Sequence, residues 1–238
     1  MSPQYVLLHG SPGNGRSWLP LLAAAPAGVR CHAWDLLDHT AAADAPGADV
    51  DDIVHDVARR IRALEGPITI VGHSFGAWVG GRALAALGGK VEHFVAIAGL
   101  ASIAPDIAER STGFAAALEA EQLTIPIAAG MGCDIWLPKE GREPAHERAI
   151  LEDLESAGVE RLCRVLRRHA SLADPARRVP SSRVRATLLH ATDDRGCPIA
   201  SGRDLASCFS NAEFIELPGD SHFLHWTHTA AVAHVVFG

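Results

Sequence analysis

Short apolar runs closed by Gly and Pro alternate along this chain with stretches of helical spacing. Tyr5-Val6-Leu7-Leu8 is apolar throughout and stops at His9-Gly10-Ser11-Pro12-Gly13, the pattern of a buried strand entering a loop. Val29 to Trp34 predicts a second strand. From Asp51 onward Ile53, Val57, Ile61 and Leu64 fall on one helical face, with Asp51 and Asp52 placed to complement the helix N-terminus, and Gly66-Pro67 ends the helix. Ile68-Thr69-Ile70-Val71 is β-branched throughout and reads as a central strand. The Ala-rich segment Phe75 to Leu87 follows it as a helix and stops at Gly88-Gly89. Further strands are predicted at Val91 to Ala98, Ala186 to His190 and Glu213 to Leu217. Alternation of this kind predicts an α/β fold, a mostly parallel central sheet with helices on both faces.

Between residues 101 and 183 the pattern changes. Helical stretches such as Glu147 to Arg168 follow one another with no strand between them, and Ile150, Leu151, Leu154, Leu162, Val165 and Leu166 are available for packing. The organisation expected is therefore a core of residues 1–100 and 184–238, with residues 101–183 forming a helical cap over the carboxyl edge of the sheet. Ala-rich patches at Ala23 to Ala27 and Ala41 to Ala45 are the only low-complexity tracts.

Composition narrows the partners. The 238 residues are 48% hydrophobic, enough for one substantial core. A formal charge of -7, with only two lysines among 21 basic residues, disfavours nucleic acid or an anionic membrane surface, since both require a basic patch. No run of 18 apolar residues and no basic-then-apolar leader is seen, so the expected setting is the cytoplasm. Five cysteines without a Cys-x-x-Cys pair read as scattered reduced thiols. Oligomeric state is not legible.

The chemistry-bearing candidate is Gly72-His73-Ser74-Phe75-Gly76, which falls between the best strand and a good helix. A nucleophile on a tight strand-to-helix turn needs small neighbours so that the strained backbone can present its hydroxyl above the sheet. Serine also needs a base to take its proton, and the base needs a carboxylate to orient it. Downstream, one predicted strand ends in the acidic loop Thr192-Asp193-Asp194-Arg195-Gly196-Cys197-Pro198, and another ends at Gly219-Asp220-Ser221-His222. Ser74, an aspartate of that loop and His222 follow the order nucleophile, acid, base.

With these motifs the chain resembles the α/β-hydrolase fold superfamily, in its lid-bearing group of serine esterases, lactonases and haloperoxidase-like proteins. The resemblance covers nearly the whole core. It implies that the acid is Asp194, four residues before Pro198, with Asp193 as a rival, and that Asp220 is a loop residue. It also implies an oxyanion hole from the backbone N-H groups of Phe75 and Ser11, Pro12 having none to give. His9 is expected to brace its loop. The chain departs from the family in starting almost at the strand before the oxyanion loop, which trims the sheet by an edge strand or two. It departs again in having Asp35-Leu36-Leu37-Asp38-His39-Thr40 where relatives carry Asp-x-x-Gly-His-Gly.

The function implied is cleavage of a carboxylic ester or lactone, with a small apolar acyl or ring portion, through an acyl-enzyme. A neutral imidazole base implies activity rising through roughly pH 6 to 7. Alternatives on the same fold are acyl transfer, C-C bond cleavage, cofactor-free oxygenase chemistry or a ligand receptor. The lysine-dependent lyases are disfavoured because no lysine follows Lys139. Metal dependence finds weak support, since His222, His225 and His228 recur at three-residue spacing but His32 to His39 preserves only the Asp-His ending of a two-metal motif. The expected set is a small-molecule substrate with no metal and no cofactor, and a pocket formed by Trp18, Phe114, Met131, Trp136 and Leu137.

Overall fold

A computed structural model describes residues 2–40 and 43–238; the first two positions of the second Ala-rich patch lie outside the described residues. Six strands form one sheet: β1 (Gln4–Leu8), β2 (Arg30–Trp34), β3 (Ile68–His73), β4 (Val91–Ile97), β5 (Arg185–Ala191) and β6 (Ala212–Leu217). Their order is β2-β1-β3-β4-β5-β6 and every neighbouring pair is parallel. From β1 the chain turns to one side to make β2, then crosses back to place β3 on the other. Loops leaving β1 and β3 therefore diverge and open a crevice at the carboxyl edge, where ligands bind in sheets of this kind.

Alternation along the strands divides the core into two layers. Val6, Leu8, Ile68, Ile70, Phe94 and Leu188 point to one face, where α2 (Val50–Arg62), α3 (Phe75–Ala83) and α7 (Ile199–Ala206) cover them. Tyr5, Leu7, Val71, Val95, Ile97 and Leu189 point to the other, under α1 (Leu19–Ala23), α8 (Leu224–Thr227) and α9 (Thr229–Phe237). The start of α2 is fixed by a capping box, in which the Asp49 side chain accepts from the first turn and Asp52 accepts from the Asp49 N-H. A cap of this kind contributes about 1 kcal/mol. Helix α3 is buried all round, as its Ala, Gly, Val and Trp content permits.

Between β4 and β5 come three helices, α4 (Pro105–Glu119), α5 (Ile125–Trp136) and α6 (Pro144–Ala170), the last broken at Gly158 by a positive φ of 70°. They enclose a cluster of their own from Ala115, Leu118, Cys133, Leu137, Ile150, Leu154 and Leu162. These helices fall between residues 101 and 183, and Ala101, Ile103, Leu172 and Val179 near the ends of that stretch are buried in the core of the sheet.

Helix α6 is held to the loop after β2 by charge. Asp38 has a fully buried side chain and accepts from Arg164 at 3.0 and 2.9 Å, with Arg168 at 2.7 Å and Arg161 at 3.6 Å. Burial alone would raise its carboxyl. The Arg164 hydrogen bonds and the charges of Arg168 and Arg164 outweigh that and hold it below the ordinary carboxylate value. Among the described residues no helix is long and apolar enough to cross a membrane.

Candidate active site

The strand ends bring together what the chain keeps far apart. Ser74 follows β3 and Asp194 follows β5, while His222 follows β6 and the His9 to Asn14 loop follows β1. Ser74 has φ 50° and ψ -116°, a conformation that costs a non-glycine residue about 1–3 kcal/mol and is held here by its surroundings. Its N-H donates to the Ile97 carbonyl at 2.9 Å, and its own carbonyl accepts from Ala77. The flanking glycines are required by close approach. A Cβ on Gly72 would lie 2.5 Å from the Ala77 Cα, and one on Gly76 would lie 2.5 Å from the His9 carbonyl oxygen. Helix α3 is pressed onto the end of β1, and only hydrogens fit between.

Asp194, not Asp193, partners the histidine. The His222 Nδ1 lies 2.8 Å from Asp194 Oδ2, whereas Asp193 is exposed and accepts from the Thr192 hydroxyl. Asp194 Oδ1 accepts from the Gly196 and Cys197 N-H groups at 2.8 and 2.9 Å. Burial pushes the Asp194 carboxyl up, but His222 and the Cys197 N-H outweigh it and keep the group below its ordinary value, hence ionised. The two loops are tied to each other by Thr192 N-H to the Leu217 carbonyl and Asp193 N-H to the Gly219 carbonyl, each 2.9 Å. His190 lies near the same carboxylate oxygen, its Nε2 2.7 Å from the Cys197 carbonyl and 3.6 Å from Asp194 Oδ2.

On the opposite wall, Ser11 belongs to the loop that leaves β1, and Phe75 is the first residue of α3. A first-turn N-H has no partner within its helix, and among the described residues neither the Ser11 nor the Phe75 N-H bonds to a backbone acceptor. His9 braces this loop. Its Nε2 accepts from the Leu36 N-H at 3.0 Å, so Nδ1 carries the proton and donates to the Gly10 carbonyl at 2.8 Å. Burial lowers its pKa to about 4, so it stays neutral.

An inner cavity of about 20 Å³ lies among these loops, bounded by Gly10, Ser11, His73, His222, Trp136 and Leu154. Of the five pocket residues expected, Trp136 reaches it, and its carbonyl also accepts from the His222 N-H at 2.9 Å. The other four lie outside its lining. Trp18 is fully buried in the second core layer against His225, and its neighbour Ser17 lines the cavity instead. Met131 is 43% exposed, because the inward face of α5 runs through Ala128, Ala129, Gly132 and Cys133 and leaves position 131 outside. Leu137 is fully buried and Phe114 partly buried in the cluster of the insertion. Among the described residues the Ser74 hydroxyl makes no hydrogen bond.

Two contributors escaped the sequence reading. His73 donates from Nε2 to the His222 carbonyl at 3.1 Å and packs at a tilt against Phe223, ring centroids 4.9 Å apart, so the serine turn and the histidine loop are joined through it. Burial holds its pKa well below the ordinary histidine value. Asp153, on α6, bonds Asn14 and lines the cavity. His73 was legible only as a spacer inside the pentapeptide, and Asp153 had no signal at all.

A wholly parallel sheet with helices on both faces carries a strained serine at its switch point and a histidine-aspartate pair on neighbouring loops. The model of the alpha/beta hydrolase family matches residues 5–235, and the chain belongs to that family. Among solved structures it is similar to an enol-lactonase from Burkholderia xenovorans LB400, at 22% identity and a TM-score of 0.82, covering 99% of this chain and 90% of the other. An esterase from Exiguobacterium antarcticum gives 16% identity and a TM-score of 0.82 with the same coverages. A Mycobacterium tuberculosis protein provisionally described as a non-heme bromoperoxidase gives 20% and 0.77, covering 99% and 91%. At such identities the likeness is one of fold. No curated protein matches the sequence.

Proposed function

We propose that this chain is a serine hydrolase that cleaves a carboxylic ester or lactone through an acyl-enzyme. The observation that carries the reading is the 2.8 Å contact from His222 Nδ1 to Asp194 Oδ2. It fixes the proton on Nδ1 and leaves Nε2 as a base on the same sheet edge as the strained Ser74. Ser74 Oγ attacks the carbonyl carbon while Nε2 takes its proton. The resulting oxyanion receives the Phe75 and Ser11 N-H groups, and collapse expels the alcohol with the proton returned from His222. Water then attacks the acyl carbon while Nε2 takes its proton, and collapse breaks the bond to Ser74 Oγ, releases the acid and returns the proton to Ser74. A free Ser74 hydroxyl is compatible with this, since catalytic hydrogen bonds of unliganded enzymes are commonly long and tighten around substrate.

Support for ester or lactone chemistry comes from the esterase and enol-lactonase among the structural neighbours. Fluorophosphonate labelling, read beside turnover of nitrophenyl esters and lactones, tests the proposal. The expected result is labelling and turnover that both vanish in Ser74→Ala. Labelling without turnover favours acyl transfer or a receptor, and absence of labelling removes Ser74 from the mechanism.

A further inference from the structure

Beside the inner cavity lies an outer one of about 250 Å³, walled by Arg16, Leu19, His146, Glu152 and Trp226. Ser17 and Asp153 line both. The inner space holds roughly one water molecule. Because Ser11 and His222 line this inner space, a substrate whose reacting group sits between them has Ser17 and Asp153 along the way to the outer cavity.

Asp153 stands in the first half of α6 with 14% of its side chain exposed. Its two oxygens differ. Oδ1 accepts from Asn14 Nδ2 and lies 3.5 Å from an Arg16 nitrogen, which anchors the insertion to the loop after β1. Among the described residues Oδ2 has no donor within hydrogen-bond distance, and it lies 3.6 Å from where a Cβ on Gly13 would stand. In the lining of the inner cavity Asp153 is joined by the apolar Trp136, Leu154 and Phe223 and by the polar Ser11, Ser17 and His222. Oδ2 is thus a carboxylate oxygen that no protein donor holds and that stays open to the cavity, so a ligand bringing a donor there gains a charge-assisted hydrogen bond. In agreement, burial pushes the Asp153 carboxyl up to about 6, only partly offset by Asn14 and Arg16.

We propose that Asp153 is a specificity-determining residue whose free oxygen receives a hydrogen-bond donor, a hydroxyl or a protonated amine, carried by the substrate a few atoms from its reacting carbonyl. The inference deepens the hydrolase reading and rests on it for the word substrate. It assigns to the insertion a polar selection that a purely apolar pocket would lack.

The test compares methyl esters of β-alanine, hydroxypropionic acid and butyric acid, which are matched in heavy atoms and differ only at the terminal group. Wild type is expected to favour at least one donor-bearing ester over the butyrate in kcat/KM by about tenfold or more, the value of a hydrogen bond to a charged group. Asp153→Leu should abolish that preference, which is read as the ratio of kcat/KM between donor-bearing ester and butyrate and so does not depend on the overall rate of the variant. Asp153→Asn, which keeps an acceptor without charge, should retain preference for the hydroxyl ester and lose it for the amine. Equal turnover of all three esters by wild type, or a preference surviving in Asp153→Leu, overturns the proposal. If no ester is turned over and no fluorophosphonate label attaches, the hydrolase reading fails by itself. The subsite is then read by thermal shift with propylamine and propanol against propyl chloride. Stabilisation by amine or alcohol that Asp153→Leu removes upholds it, and no difference overturns it.

Discussion

Asp194→Asn is nearly isosteric, yet the hydrogen bonds around Asp194 dictate how the new amide must sit. Oδ1 is held by two backbone donors, Gly196 N-H at 2.8 Å and Cys197 N-H at 2.9 Å. Turning an amide NH2 toward them would set donors against donors, so the Asn carbonyl has to take that side. Its NH2 then faces His222 Nδ1 at the 2.8 Å now occupied by Oδ2. Nδ1 is forced to accept, the ring proton moves to Nε2, and the nitrogen that should receive the Ser74 proton already carries one. The tautomer is wrong while the geometry is intact. A change of that kind lowers turnover by on the order of 10⁴, about 5 kcal/mol of transition-state stabilisation. The assay is the rate of fluorophosphonate labelling and of ester turnover at pH 7, with circular dichroism to show that the fold is kept. Proton NMR supplies a readout independent of activity, because the Nδ1-H signal of wild type should vanish. Labelling at the wild-type rate in a folded Asp194→Asn would refute both the assignment of the acid and the tautomer reasoning.

Two further predictions concern the frame. Gly76→Ala places a Cβ 2.5 Å from the His9 carbonyl oxygen where ordinary contact begins at 3.4 Å, so α3 or the end of β1 must give way by at least 0.9 Å. That overpacking should cost roughly 1–3 kcal/mol or more in urea unfolding, and the displaced oxyanion loop should lower kcat by about 10²; wild-type values for both would show that the approach is looser than described. Asp38→Asn keeps a residue that tolerates the φ of 56° but removes the charge facing three arginines, and should destabilise by about 3–5 kcal/mol at pH 7. Because the folded Asp38 carboxyl lies below its unfolded value of 3.8, the wild-type advantage is present above that pH and is lost as pH falls through the folded value. Unfolding curves for the pair should therefore converge under acid, and an equal gap at pH 7 and pH 3 would remove the charge from the explanation.

Much of this protein is local, and that part was legible in its residues. The β-branched run at Ile68 to Val71 specifies a central strand because such side chains are stiff and pack on a pleated surface, and the structure carries it on to His73. Gly72 and Gly76 flank a turn that no other residue would allow, so the serine declares itself in five positions. Tertiary structure decided what depends on distant segments meeting. Asp193 and Asp194 are adjacent and alike in sequence, and only the loop ties to Leu217 and Gly219 turn one to solvent and the other to His222. Trp18, Met131, Leu137 and Phe114 stand outside the cavity lining because bulk and apolarity say that a side chain packs, whereas the helix face and the layer it packs into say where. Asp153 shows the same limit from the polar side. An acid on an exposed helix pattern becomes a feature of the site only when α6 folds over the loop leaving β1, since nothing within the helix itself distinguishes a carboxylate facing water from one facing a cavity.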